Sequence, residues 1–161
     1  MRQLRPPPLR AALNRRTYPP AVAGQWTVYV DGAARGNPGP AAAGICLFNP
    51  EGSRVRAIGR PLGRLPNNQA EYQALLLALG VATPHAPPAL LVRMDSELVV
   101  RQMTGQYRVK NAALLALHSR AQQFIRTLGV VRFEHVPRAL NAEADRLANL
   151  ALDGTPVDEG D

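Results

Sequence analysis

Apolar and polar positions along the chain change period several times. WTVYV (26–30), AAAGICLF (41–48) and RVRAIG (54–59) are short apolar or alternating runs separated by Gly, Pro and Asn. That pattern predicts three strands of an antiparallel meander. NNQAEYQALLLALGVA (67–82) is filled with leucine and alanine and predicts a helix capped by Asn67 or Asn68. ALLVRMD (89–95) is continuously apolar, as expected of a strand covered on both faces. SELVVRQMTG (96–105) predicts a short helix capped by Ser96 and stopped by Gly105. AALLALHSRAQQFIRTL (112–128) predicts a longer one with Asn111 as its cap. VVRFEHV (130–136) is a fifth strand, and NAEADRLANLAL (141–152) a closing helix with Asn141 as its cap. The order βββαβααβα predicts an α/β fold, a five-stranded mixed sheet with helices packed on it.

Both ends of the chain fall outside this pattern. Residues 1–24 carry five arginines, several prolines and no acid, which predicts a basic, solvated leader without a fold of its own. An electrostatic arm for nucleic acid and an organelle-targeting leader are the alternatives. Residues 153–161 form an acidic C-terminal tail. Of the net charge of +7, the body between the two carries +6, which favours a polyanionic partner. No apolar run approaches the roughly 20 residues that span a bilayer. The one cysteine, Cys46, lies in an apolar stretch and reads as a buried thiol. A reducing, cytoplasmic compartment fits.

Four acids stand at element ends. Asp31 follows the first predicted strand and Asp95 the fourth. If those strands pair in parallel, both carboxylates project into the crevice beyond their carboxyl ends, where ligands of open α/β sheets collect. Glu71 and Asp145 lie in the first turns of the first and last predicted helices, where the helix dipole also welcomes an acid. Each acid alone has an ordinary explanation as a turn or cap residue. Their joint occurrence, each beside a distinctive sequence, carries the argument.

DGAARGNPGPAAAG, NNQAEYQALLLAL, MDSELVVRQMTG and NAEADRLA, in that order, resemble the ribonuclease H family, type 1. The resemblance covers residues 26 to about 152, a ribonuclease H domain over 25–152. It implies the ribonuclease H-like fold, with three antiparallel strands, then two parallel, and helices on both faces. It also implies a metal-dependent endonuclease that cuts the RNA strand of RNA/DNA hybrids and leaves 5′-phosphate and 3′-hydroxyl ends. Asp31, Glu71, Asp95 and Asp145 match the family's catalytic acids. Asp31 would bridge two Mg²⁺ ions, with Mn²⁺ as a substitute, while Glu71 serves one ion and Asp145 the other. Hard oxygen donors suit Mg²⁺, and the sequence offers no Cys/His spacing for zinc.

The resemblance further implies substrate contacts from Gly32, Ala33, Ala34 and Asn37, and minor-groove contacts from Asn67 and Asn68. Glycines in GAARGNPGP would let backbone approach the nucleic acid and read a 2′-hydroxyl. The family's histidine loop before the last aspartate is shortened here. Arg138 is the candidate to meet a phosphate in its place, and His135, inside an apolar strand pattern, reads as structural. Glu97 stands where many relatives have glutamine. The expected partner is an RNA/DNA hybrid, with double-stranded RNA as a further substrate, no membrane, and a monomeric enzyme. A hybrid-binding module without catalysis is the alternative from another class.

Overall fold

Strand β1 (Gln25–Ala34) is the axis of the structure, a computed structural model that describes residues 22–160. β1 pairs antiparallel with β2 (Gly39–Phe48) on one side and parallel with β4 (Ala89–Met94) on the other. β3 (Arg54–Leu65) lies antiparallel beside β2, and β5 (Val130–His135) parallel beside β4. β6 (Val157–Gly160) pairs antiparallel with β3, so the sheet runs β5-β4-β1-β2-β3-β6. The predicted mixed α/β sheet is present, with six strands rather than five. The extra strand comes from the acidic C-terminal segment. It pairs along β3, where Arg56 bonds Asp158 at 2.7 Å and Arg54 stands 3.6 Å from Glu159. The leader up to residue 21 lies outside the described residues.

Alternation sorts the strand side chains onto two faces. Val28 and Val30 of β1, with Ala43, Ile45 and Leu47 of β2, face helix α1 (Asn67–Ala82) and join its Tyr72, Leu75 and Leu79 in the main core. Helix α2 (Glu97–Met103) and helix α3 (Ala112–Thr127) extend that core through Val99, Met103, Leu114 and Leu117. On the opposite face, Ala42 and Cys46 of β2 and Ala57 of β3 pack against Leu147 and Ala148 of helix α4 (Ala142–Leu152). Burial, then the nearby Glu143 carboxylate, pushes the Cys46 thiol up to about 11, so it behaves as an inert apolar group. No helix among the described residues is long and apolar enough to cross a membrane.

Two predicted caps form as expected. Ser96 Oγ accepts from the Val99 N–H, and Asn111 Oδ1 from the Leu114 N–H at 3.1 Å. Two others do not. α1 starts at Asn67 behind Pro66, and neither Asn67 nor Asn68 caps it. Instead Asn37, from the β1–β2 turn, accepts the Asn67 N–H at 3.0 Å across 30 residues of sequence. Asn141 stands at the start of α4, but its side chain makes no cap bond.

Small residues set how closely helices approach the sheet. A Cβ on Gly44 would overlap the backbone carbonyl oxygen of Ala144, so α4 rests directly on β2. Gly44 is the register partner of Asp31, which brings α4 down beside that acid. Gly44→Ala is expected to cost about 3 kcal/mol or more, because backbone rather than a flexible side chain blocks the added methyl. Thermal melts should show a midpoint lowered by roughly 10 °C. An unchanged melt would mean that α4 can rise off the sheet freely.

Candidate functional site

The parallel ladder between β1 and β4 ends at the pair Val30–Met94. Asp31 and Asp95 are the next residue on each strand, so the register alone brings them side by side where the two strands part. β1 itself does not end there. It continues through Ala34 in its antiparallel pairing with β2, so Asp31 lies within the strand rather than at its end. Gly32, Ala33 and Ala34 are therefore strand residues, and the connecting turn is confined to residues 35–38, with a cis Asn37–Pro38 bond.

The other two acids arrive from opposite faces. Glu71 lies in the second turn of α1, not the first as the sequence suggested, because the helix begins at Asn67. Gly32 lets α1 descend to the sheet: a Cβ there would meet the Ala70 carbonyl and the Glu71 backbone. The missing side chain at Gly32 therefore serves the close approach of α1 to the sheet. Asp145 lies in the first turn of α4, as predicted. One pocket of about 430 Å³ is lined by all four acids together with Gly32, Ala33, Ala34, Asn67, His135, Val136, Pro137 and Arg138. Asn37 and Asn68 are not among its lining residues. Asn37 is exposed, its side-chain oxygen engaged by α1. Glu97 is exposed and pairs with Arg101 at 2.9 Å, away from the pocket.

Burial and mutual repulsion dominate the electrostatics. Asp31 is only 6% exposed. Burial first, then Asp95, Asp145 and Glu71, raises its carboxyl from the ordinary range to about 8. Burial raises Glu71 to about 7, against a lowering hydrogen bond from Ser96. Asp95 is also raised, chiefly by burial, with Arg138 acting in the opposite direction. Arg138 is 80% exposed, and its Nη2 stands 3.6 Å from Asp145 Oδ1. It is an exposed cation at the pocket rim rather than a buried counter-ion.

Such a set suits a hard divalent cation. The buried Oδ2 of Asp31 has no hydrogen-bond partner, and an orphaned carboxylate oxygen in an acid-lined pocket fits the donor chemistry of a cation site. Among the described residues, no three His, Cys, Asp or Glu side chains close into a ready-made chelate. An open, all-oxygen site of this kind matches Mg²⁺, which keeps several waters and takes further oxygens from substrate phosphate. It matches zinc poorly.

Two residues escaped the sequence reading. His135 is exposed and lines the pocket, not the core. It pairs with Met94 in the β4–β5 register, so the rule that placed Asp95 also places His135 at the crevice. Ser96, read only as a cap, also bonds Glu71. Its position directly after Asp95 was the available signal.

A family model described as "Reverse transcriptase-like" matches residues 29–151. The chain is 42% identical over 134 residues to ribonuclease HI of Halobacterium salinarum, covering 83% of this chain and 67% of that protein. It is 42% identical over 127 residues to a bifunctional protein of Mycobacterium tuberculosis, but spans only 35% of that protein's length. Among solved structures, RNase H1 from Halobacterium salinarum superimposes with a TM-score of 0.79 at 43% identity, covering 81% of this chain and 99% of that one. LC11-RNase H1, solved in complex with an RNA/DNA hybrid, gives a TM-score of 0.77 at 37% identity, over 80% of this chain and 97% of that one.

Proposed function

Because the chain belongs to the ribonuclease H family, type 1, we propose that it is a divalent-cation-dependent endonuclease that hydrolyses the RNA strand of RNA/DNA hybrids. The observation that carries this reading is the Val30–Met94 register, which sets Asp31 beside Asp95 while α1 and α4 deliver Glu71 and Asp145 to the same pocket. Support for a hybrid substrate comes from LC11-RNase H1, which was solved with one bound.

Asp31 and Asp95 would be the central ligands of two Mg²⁺ ions, with Asp31 shared, Glu71 holding one and Asp145 the other. When bound, the ions activate the attacking water and relieve charge on the departing 3′ oxygen. The new P–O bond forms opposite the breaking bond to the 3′ oxygen, which takes up a proton and leaves as a hydroxyl. The fragment ends are then 5′-phosphate and 3′-hydroxyl. Arg138 would meet a phosphate of substrate or product, and its exposure at the rim supports that role. Backbone groups of Gly32, Ala33 and Ala34 line the pocket and are suited to reading the 2′-hydroxyl, which tells RNA from DNA. Asn67, on the pocket wall, and Asn68, beside it on α1, would reach the minor groove, while Asn37 supports them by holding the helix end.

Incubation with an end-labelled hybrid, with Mg²⁺ and with a chelator, tests the reading. Cleavage of the RNA strand alone, dependent on Mg²⁺ and leaving 5′-phosphate ends, is expected. Cleavage that persists in chelator, or 3′-phosphate products, would overturn it. A double-stranded RNA of the same sequence, assayed alongside, defines how far the 2′-hydroxyl contacts exclude a second ribose strand.

A further inference from the structure

Asn141 is 1% exposed at the junction of a 3₁₀ turn (Arg138–Asn141) and α4. Asparagine at that position ordinarily turns its side chain onto the first free N–H groups of the helix. Here the side chain turns away, and its Nδ2 donates to the carbonyl of Val30 at 2.8 Å, across 111 residues of sequence. Its Oδ1 is left buried without a partner. The orphaned oxygen costs stability, and a side chain that served only to start a helix would have neither it nor the long-range bond.

The position of the accepting carbonyl explains the arrangement. Val30 is the last residue of β1 paired with β4, and the residue immediately before Asp31. Residues i and i+4 share one face of a helix start, so Asn141 and Asp145 lie one above the other. This amide therefore ties the start of the helix that carries Asp145 to the strand that carries Asp31, beside the packing that holds the rest of α4 on the sheet. It sits on the three-residue path between Arg138 and α4 as well, so both pocket groups of this segment hang from it.

We propose that Asn141 is a positioning residue, whose amide fixes the start of α4 against β1 so that Asp145 and Asp31 face one another closely enough to share the cation site. The proposal rests on the cation-dependent reading above. Supporting groups that orient metal ligands typically contribute about 10- to 100-fold in metal affinity.

Asn141→Ser separates positioning from folding. Serine caps a helix as well as asparagine does but is too short to reach Val30. The full-length variant is expected to fold with a lowered melting point, from the one buried hydrogen bond lost, and to bind Mg²⁺ about 10- to 100-fold more weakly by calorimetry in the absence of nucleic acid. In cleavage assays kcat should fall at a fixed Mg²⁺ concentration and recover as Mg²⁺ is raised, with KM for hybrid unchanged. Leu147→Ala, which loosens the buried face of α4 without touching the amide, serves as the packing control. It should lower the melting point and leave Mg²⁺ affinity unchanged. A folded Asn141→Ser protein with wild-type Mg²⁺ affinity would overturn the proposal. So would weakened affinity in Leu147→Ala equal to that in Asn141→Ser. If wild-type protein binds no Mg²⁺, the parent reading itself falls, a result distinct from either.

Discussion

Asp31→Asn is expected to lower cation-dependent cleavage of an RNA/DNA hybrid by about 10³-fold or more while leaving the fold intact. Asparagine has the shape of aspartate, so the β1–β2 and β1–β4 ladders need not change. What it lacks is the charge at the one position that feels all three other acids. The same substitution should make the cation-free protein more stable at high pH. Burial and neighbouring carboxylates hold the Asp31 proton to about pH 8, so ionising it inside the pocket costs free energy that asparagine never spends. The signature is therefore a pair of opposite changes, activity lost and alkaline stability gained. Single-turnover cleavage beside thermal melts in chelator at pH 7 and pH 9 reads both. Retained cleavage would mean that the pocket is not the reaction centre. A loss of stability at pH 9 would mean that the acids are not in conflict.

Where a feature depended on residues close together in sequence, or on strand register, it was legible in the sequence alone. Asp31 and Asp95 could be placed because each follows an apolar run, and a parallel pair carries both to the same edge. Ser96 and Asn111 could be named as caps because the N–H groups they serve lie three residues on. The misread caps share one cause, which is competition from distant partners. Asn37 takes the first N–H of α1 from another loop, and Asn141 gives up its cap for the Val30 carbonyl. Nothing local distinguishes those asparagines from ordinary caps. β6 was illegible for a related reason. Val157–Gly160 has almost no apolar content, and becomes a strand only because β3 offers an edge and arginines Arg54, Arg56 and Arg60 to its acids. β3 ran past its predicted end at Gly59 to Leu65, with Pro61 inside it. β6 reaches only as far as Gly59, so beyond that point β3 is an edge strand, where proline is tolerated. His135 reads as structural from the sequence because its neighbours are apolar. The register with Met94 at the strand end, not the average character of the run, decides where it points.

Cation binding and pH should be linked strongly, and the sign follows from the raised carboxyls. Asp31 titrates near 8 and Glu71 near 7 in the folded chain, against ordinary values of 3.8 and 4.5. Between those limits the native state keeps protons that the unfolded chain releases, so the stability of the cation-free protein falls as pH rises from about 4 to 8. The loss is on the order of a few kcal/mol and is complete above pH 8. A divalent cation reverses it, because the cation binds the ionised acids and must displace whatever protons remain. At pH 5 that competition is severe, and Mg²⁺ should raise the melting point little. At pH 9 the acids are already ionised and mutually repelling, and the same Mg²⁺ concentration should raise it most. Between pH 6 and 8 the Mg²⁺ concentration for half-maximal cleavage should fall up to about tenfold per pH unit for each proton displaced. Melts at pH 5, 7 and 9 in chelator and in Mg²⁺ measure the first effect, and metal titrations of cleavage the second. Asp31→Asn should flatten the pH dependence of the chelator series and remove most of the Mg²⁺-induced shift. Equal Mg²⁺ shifts at pH 5 and pH 9 would show that the protons and the cation do not compete for the same carboxylates. The acid pocket would then have to be reassigned to a purely structural role.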